Sequence, residues 1–159
     1  MTLPSPCGDS IRPARPEDWP ELAALWRRSV EATHDFLDPA DLEAIGTAML
    51  PVYLPAMRQC RVLERNGRVA GFWAGDNLRL EMLFVDPAFF GQGVGKALLR
   101  DACAGKARVE LDVNEQNPRA RAFYARQGFR VCGRSPVDHD GRPYPLLHLV
   151  RATDGGRNR

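Results

Sequence analysis

The strongest constraint on this chain lies in FVDPAFFGQGVGKALLR, Phe84 to Arg100, where Gly91, Gly93 and Gly95 alternate directly before a helix-forming run. Glycine enters left-handed backbone at no steric cost and lets another group reach the main chain itself. The first N–H groups of a helix have no intrahelical partner and sit at the positive end of its dipole. A strand, a turn at Asp86-Pro87, bare backbone and a helix start, in that order, suit a phosphate or pyrophosphate. A tight strand-to-helix connection without a ligand is the alternative, and the glycines alone do not choose between them.

Two familiar phosphate motifs are excluded by position. The Walker pattern, counted back from Gly95-Lys96, would put Phe90 at its first glycine and Ala97 at its metal-binding hydroxyl. The dinucleotide fingerprint, begun at Gly93 and Gly95, would need a glycine where Leu98 stands. Neither nucleotide hydrolysis nor hydride transfer fits.

The surrounding elements are legible from periodicity. SIRPAR reads as a short strand, and Leu22, Leu25, Trp26, Ser29 and Val30 repeat at the spacing of an amphipathic helix. THDFLD then breaks the chain, with Asp38 as N-cap and Pro39 opening a second helix that runs towards Leu54. Two β-rich runs flank Asn66-Gly67, a type I′ hairpin signal, and LRLEMLFV adds a third strand. Val94, Leu98, Leu99 and Ala102 mark the helix after the glycines, Val109, Leu111 and Val113 a half-buried strand, and PRARAFYARQG a helix stopped at Gly128. FRVCGR and YPLLHLVR close the chain as strands. The order β-α-α-β-β-β-α-β-α-β-β predicts an α/β or α+β protein with a mixed sheet, one domain over residues 10–151, and flexible termini at 1–9 and 152–159.

Composition removes several function classes. Lys and Arg total 22 against 20 Asp and Glu, and the arginines are spread along the chain among acidic residues, so no basic stripe for nucleic acid exists. Cys7, Cys60, Cys103 and Cys132 have no metal-ligand spacing and read as free thiols in a reducing compartment; no metal is expected. The start MTLPSPCGDS lacks the features of a secretion signal, and no apolar run reaches membrane-spanning length. A cytoplasmic protein without membrane contact is expected.

A second motif decides between the readings of the glycines. Across one strand from the loop, NPRARAFYARQGF places Asn117, Ala120, Tyr124, Gly128 and Phe129 in the pattern Asn-x-x-Ala-x-x-x-Tyr-x-x-x-Gly-Phe. The pair of motifs resembles the GNAT superfamily of acyl-CoA-dependent N-acetyltransferases, whose signature Gln/Arg-x-x-Gly-x-Gly/Ala is followed by a strand and such a helix. The element order is also that family's, and the resemblance spans about residues 10–151. THDFL, DVNEQN and PYPLL look like its small YjaB-like bacterial branch. One position departs: Phe90 stands where the family usually carries Gln or Arg, which removes a side-chain contact near the pyrophosphate and leaves the backbone donors.

The resemblance implies a GNAT fold, acetyl-CoA as co-substrate and an amine as acceptor, in a monomer or homodimer. It implies cofactor contacts from Leu83, Phe84 and Val85 on the strand, from Phe90, Gly91, Gln92, Gly93, Val94, Gly95 and Lys96 in the loop and helix start, and from Asn117 and Tyr124. Tyr124 is the expected general acid for the CoA sulfur, with core packing as its alternative. Glu81 is the expected general base, with Asp112, Glu115, His34 and His139 as rivals. His34, Asp35 and Phe36, in the break between the first two helices, are expected at the acceptor. Asn117 also suits an N-cap ahead of Pro118. A non-catalytic acyl-CoA-binding module is the rival function.

Overall fold

A computed structural model describes residues 8–152 of the 159-residue chain. Seven strands form one sheet: β1 (Asp9–Pro13), β2 (Gln59–Arg65), β3 (Arg68–Gly75), β4 (Arg79–Val85), β5 (Arg108–Asn114), β6 (Arg130–Ser135) and β7 (Leu146–Ala152). Their order across the sheet is β1-β2-β3-β4-β5-β7-β6. The helices are α1 (Trp19–Thr33), α2 (Pro39–Ala48), the single turn α3 (Leu54–Ala56), α4 (Val94–Cys103) and α5 (Pro118–Arg126).

The apolar periodicities translate directly into two cores. Leu22, Leu25, Trp26 and Val30 of α1 bury against Val62, Phe72 and Ala74 on one sheet face. On the other face, Val94, Leu98, Leu99 and Ala102 of α4, with Tyr124 of α5, pack on Leu63, Ala70, Leu80, Leu111 and Val113. The hairpin turn is as its residues require, with Asn66 at φ 54° and Gly67 at φ 76°. Asp38 Oδ1 accepts the Ala40 N–H at 2.8 Å and caps α2.

Three expectations need correction. Asp9 is paired with Arg65 in β1, and β7 runs to Ala152, so neither belongs to a flexible terminus; the remaining terminal residues, 1–7 and 153–159, including Cys7, lie outside the described residues. The second helix does not run unbroken to Leu54. Pro51 has no N–H for the fourth residue back, and the chain widens into a π turn over Met49–Tyr53 before α3. Third, β4 is not regular: Ala74 pairs with Met82 but Gly75 with Leu80, so Glu81 is the extra residue of a β-bulge.

All neighbouring strands are antiparallel except β4 and β5. These pair in parallel at only two positions, Arg79 with Glu110 and Leu80 with Leu111. Beyond Leu80 the β5-facing edge of β4 has no strand partner, and the sheet opens into a V. Everything that follows is built in and around that opening.

Candidate functional site

Two cavities meet at the V. The first, about 460 Å³, lies between the end of β4, the glycine loop, α4 and α5, and is lined by Leu83, Phe84, Val85, Phe90, Gly91, Gly93, Val94, Gly95, Lys96, Asn117 and Tyr124. These are residues named from sequence for one ligand, from two separate motifs. Lys96, Arg119 and Arg126 also line it, and among the described residues no carboxylate does. That charge suits an anionic ligand.

The loop provides the donors. Gly91 at φ 73° and Gly93 at φ 81° hold left-handed backbone, and Gly93 is the N-cap of α4. The Ala97 N–H makes the bond back to Gly93 O at 3.0 Å, so the N–H groups of Val94, Gly95 and Lys96 precede the helical ladder. Gly95 differs from its neighbours. It has ordinary helical φ, and a Cβ added there would lie 3.6 Å from Phe123 Cζ and 3.7 Å from Val85 Cγ2, a normal contact. Gln92 is also distinct: its side chain donates to Ala88 O at 3.2 Å and accepts from Arg65 at 3.2 Å, outside the cavity lining. The strand end is tied to α1 by buried Asp86, which accepts from Ala88 N at 3.0 Å and from Arg28 Nη2 at 2.7 Å.

On α5, buried Asn117 does what a capping residue does: its Oδ1 accepts the Ala120 N–H at 3.1 Å while the residue lines the cavity. Tyr124 is 9% exposed. Its ring sits edge-on to Phe123 at 5.1 Å and to Phe129 at 5.6 Å, so packing and cavity lining coexist. Burial, with the nearby Cys103 thiol, pushes its pKa above the ordinary phenol value, so the hydroxyl keeps its proton at neutral pH.

The second cavity, about 430 Å³, opens on the other sheet face between α1, α2, β4, β5 and the turn before β7. It carries the carboxylates Glu81, Asp112, Asp138 and Asp140 against the guanidiniums Arg79 and Arg142, with His34 and His139. The bulge explains why Glu81 is here: it turns the side chain to the face of Met82 and Phe84, away from that of Leu83 and Val85 with which simple alternation would group it. The Glu81 carboxylate pairs with Arg79 at 2.8 Å. Asp112, its side chain 7% exposed, accepts from Arg79 and from His148 Nδ1 at 2.6 Å, and lies 2.9 Å from His139 Nε2. Burial raises its pKa, but the His148 bond and the Arg79 charge outweigh burial and hold it below the ordinary carboxylate value.

The three residues of the helix break separate. His34 lines both cavities. Phe36 lines neither and instead packs between His34, at 5.2 Å, and Tyr144, at 6.2 Å. Asp35 is exposed and outside both linings. Glu115 pairs with exposed Arg134 at 2.8 Å and is also outside.

Sequence reasoning missed Arg119, whose guanidinium lies 5.3 Å over the Phe90 ring, and the Arg79–Asp112 pair at the floor of the second cavity. The signal for Arg119 was available: a cation two residues after the motif Asn, next to a helix start. Nothing local could have announced the Arg79–Asp112 pair, which depends on two strands brought together by the sheet.

Comparison with known proteins agrees with this geometry. Residues 57–131 match the family model described as acetyltransferase (GNAT) domain. The chain is 42% identical over 144 residues to the peptidyl-lysine N-acetyltransferase YjaB of Salmonella typhimurium, covering 89% of this chain and 97% of that protein. It is 43% identical over 144 residues to the protein of the same name from Escherichia coli K12, covering 89% and 95%. The solution structure of apo-form YjaB from Escherichia coli superposes with a TM-score of 0.83 at 39% identity, covering 90% of this chain and 97% of that one.

Proposed function

This chain belongs to the GNAT family and is an acetyl-CoA-dependent N-acetyltransferase; from that premise we propose that its acceptor is a cationic primary amine, the lysyl side chain of a protein or peptide, acetylated directly in a ternary complex. The observation that carries this reading is the opposed charge of the two joined cavities. A cationic, carboxylate-free cleft with free helix-start N–H groups suits the pyrophosphate of acetyl-CoA. The adjoining cleft, with four carboxylates and two guanidiniums, suits an ammonium group on a long apolar stem, for which Trp26, Val30, Met82 and Phe84 supply a wall. The peptidyl-lysine acceptors named for the two YjaB relatives support the same class.

In this reading the amides of Val94 to Lys96 hold the pyrophosphate, and Arg119 supplies the side-chain cation that Phe90 lacks. Unpaired N–H groups on the β5-facing edge of β4 polarise the thioester carbonyl, worth about 3 kcal/mol for one well-placed donor. Tyr124 protonates the departing sulfur. The buried, uncharged phenol is in the state a general acid needs. A covalent route through cysteine has little support: Cys60 and Cys103 are buried, with thiol pKa values raised by burial, the first to about 12.

The test is acetyl transfer from acetyl-CoA to a panel of lysyl peptides, small diamines and uncharged amines of matched length, followed by mass spectrometry. The expected result is preference for cationic acceptors, reduced when Asp138 and Glu81 are changed together to Asn and Gln. Equal use of neutral amines, unaffected by those changes, would refute the acceptor class.

A further inference from the structure

Two side chains are shared by both cavities, His34 and Phe84, and only the first can carry a proton. We propose that His34 Nε2 takes the proton from the acceptor nitrogen during transfer, an assignment that rests on reading the two cavities as donor and acceptor sites.

The hydrogen bonds around His34 bear on which ring nitrogen carries the lone pair. Thr33 Oγ1 donates its single hydrogen to Ser29 O, one helical turn back, at 2.8 Å. The same oxygen lies 2.7 Å from His34 Nδ1. With the hydroxyl proton already committed, that contact requires Nδ1–H as donor, which leaves the lone pair on Nε2. The backbone contributes as well: His34 is the C-cap of α1, and its N–H is bonded to Val30 O at 2.8 Å. The ring also stacks at 5.2 Å on Phe36, which explains why an aromatic follows in the break without lining either cavity.

Burial lowers the imidazole pKa, opposed by a side-chain hydrogen bond with Asn114 of β5 and by the charge of Asp35, and the net shift favours the neutral ring. The other groups around the two cavities are less suited to accept a proton. Glu81 is held by Arg79 at 2.8 Å, and Asp112 by Arg79 and two histidines. Asp138 accepts the Asp140 and Arg142 N–H groups at 3.0 and 2.7 Å, and Asp140 pairs with Arg142 at 3.0 Å. His139 is exposed and lies 2.9 Å from Asp112. On the cofactor side the charged groups are Lys96, Arg119 and Arg126, all cations.

The balance is as follows. The acceptor enters as an ammonium and gives one proton to His34 Nε2, which passes it to solvent, so that the nitrogen becomes nucleophilic. Its nitrogen then bonds the acetyl carbon, the carbon–sulfur bond breaks with its electron pair on sulfur, and sulfur takes the Tyr124 proton. The second proton leaves nitrogen for His34 Nε2 and passes to solvent, from which Tyr124 is restored. Thioester and ammonium become amide, thiol and one released proton.

The experiment compares pH profiles of kcat for the wild type, His34→Gln, Thr33→Val and Glu81→Gln, using a lysyl peptide and a small diamine, with acetyl-CoA affinity measured by calorimetry and folding by circular dichroism. His34→Gln should bind acetyl-CoA as the wild type does, lose about 10²- to 10⁴-fold in kcat, and show a rate that climbs about tenfold per pH unit where the wild type is flat. Added imidazole should recover part of the loss. Thr33→Val, which frees the tautomer, should lower kcat by a smaller factor at unchanged KM. Glu81→Gln should raise KM for the cationic acceptor and leave the shape of the pH profile intact. A folded His34→Gln protein with the wild-type profile, or with a loss confined to KM, overturns the proposal. Transfer to the diamine but not the peptide would refute the peptide acceptor and leave the His34 test intact; a wild type that transfers to neither overturns both readings.

Discussion

The three loop glycines look equivalent in sequence, and the backbone predicts two different fates for their alanine variants. At Gly93, φ 81° is a conformation that a Cβ opposes, with nothing within 4 Å for it to strike, so the cost is backbone strain alone. About 1–2 kcal/mol is expected, or a fall in melting temperature of about 2–8 °C for a domain near this size. Gly91, at φ 73° and equally open, should cost a similar amount. Gly95 has helical φ and room for a methyl 3.6 Å from Phe123, so Gly95→Ala should gain up to about 1 kcal/mol from helix propensity. The function should divide along the same line. Gly93→Ala shifts the amides of Val94 and Gly95 that face the cleft and should weaken acetyl-CoA binding at least tenfold. Gly95→Ala, a substitution the family signature accommodates, should stay within about threefold. Differential scanning calorimetry gives the first pair of numbers and isothermal titration with acetyl-CoA the second. If Gly95→Ala proves as destabilising as Gly93→Ala, or if Gly93→Ala binds acetyl-CoA normally, then left-handed backbone is not what the loop requires, and the argument from φ to anion binding fails.

Other perturbations test separate parts of the site. Tyr124→Phe keeps both aromatic contacts and should leave stability nearly unchanged while lowering kcat about 10²- to 10⁴-fold; steady-state thiol release measures it, and a loss under tenfold would return Tyr124 to a packing role. Arg119→Ala should weaken acetyl-CoA binding about tenfold, and Phe90→Arg in that background should restore most of it by titration calorimetry, because the guanidinium now lies 5.3 Å over that ring. Asp86→Ala removes the Ala88 cap and the Arg28 partner together and should cost about 1–3 kcal/mol at pH 7. Although burial raises the Asp86 pKa, the Ala88 amide and Arg28 outweigh it and hold the pKa below the ordinary value. Its stabilisation is therefore complete above about pH 4 and lost as pH falls through the lowered folded value, so the gap between variant and wild-type melting temperatures should close in acid.

What could be read from sequence was whatever depends on neighbours along the chain. Asp38 and Asn117 were legible as caps, Asn66-Gly67 as a hairpin turn and Leu22 to Val30 as one buried stripe, because each is settled within a turn or two. The first cavity was legible for the same reason: two local motifs supply most of its lining. The glycines also show the limit of such reading, since φ separates Gly91 and Gly93 from Gly95 where spacing does not.

The second cavity escaped because it is made of register. Simple alternation would group Glu81 with Leu83 and Val85, and one extra residue in β4 opposite Ala74 and Gly75 reverses that face. The same irregular strand leaves β5 after two paired positions, and this opening lets the end of α1 bring His34 between the cavities. Arg79, at the first of the two paired positions, can then reach both Glu81 across the bulge and Asp112 on the far strand. Restoring the register by deleting Glu81 should therefore do more than remove one carboxylate. It should extend β4–β5 pairing, close the V and separate His34 from the loop, so that the deletion abolishes transfer while Glu81→Gln only raises KM. Amide exchange on β4 and acetyl-CoA titration of the two variants decide the matter: equal behaviour would mean that Glu81 acts through its charge and that the bulge is not what opens the site.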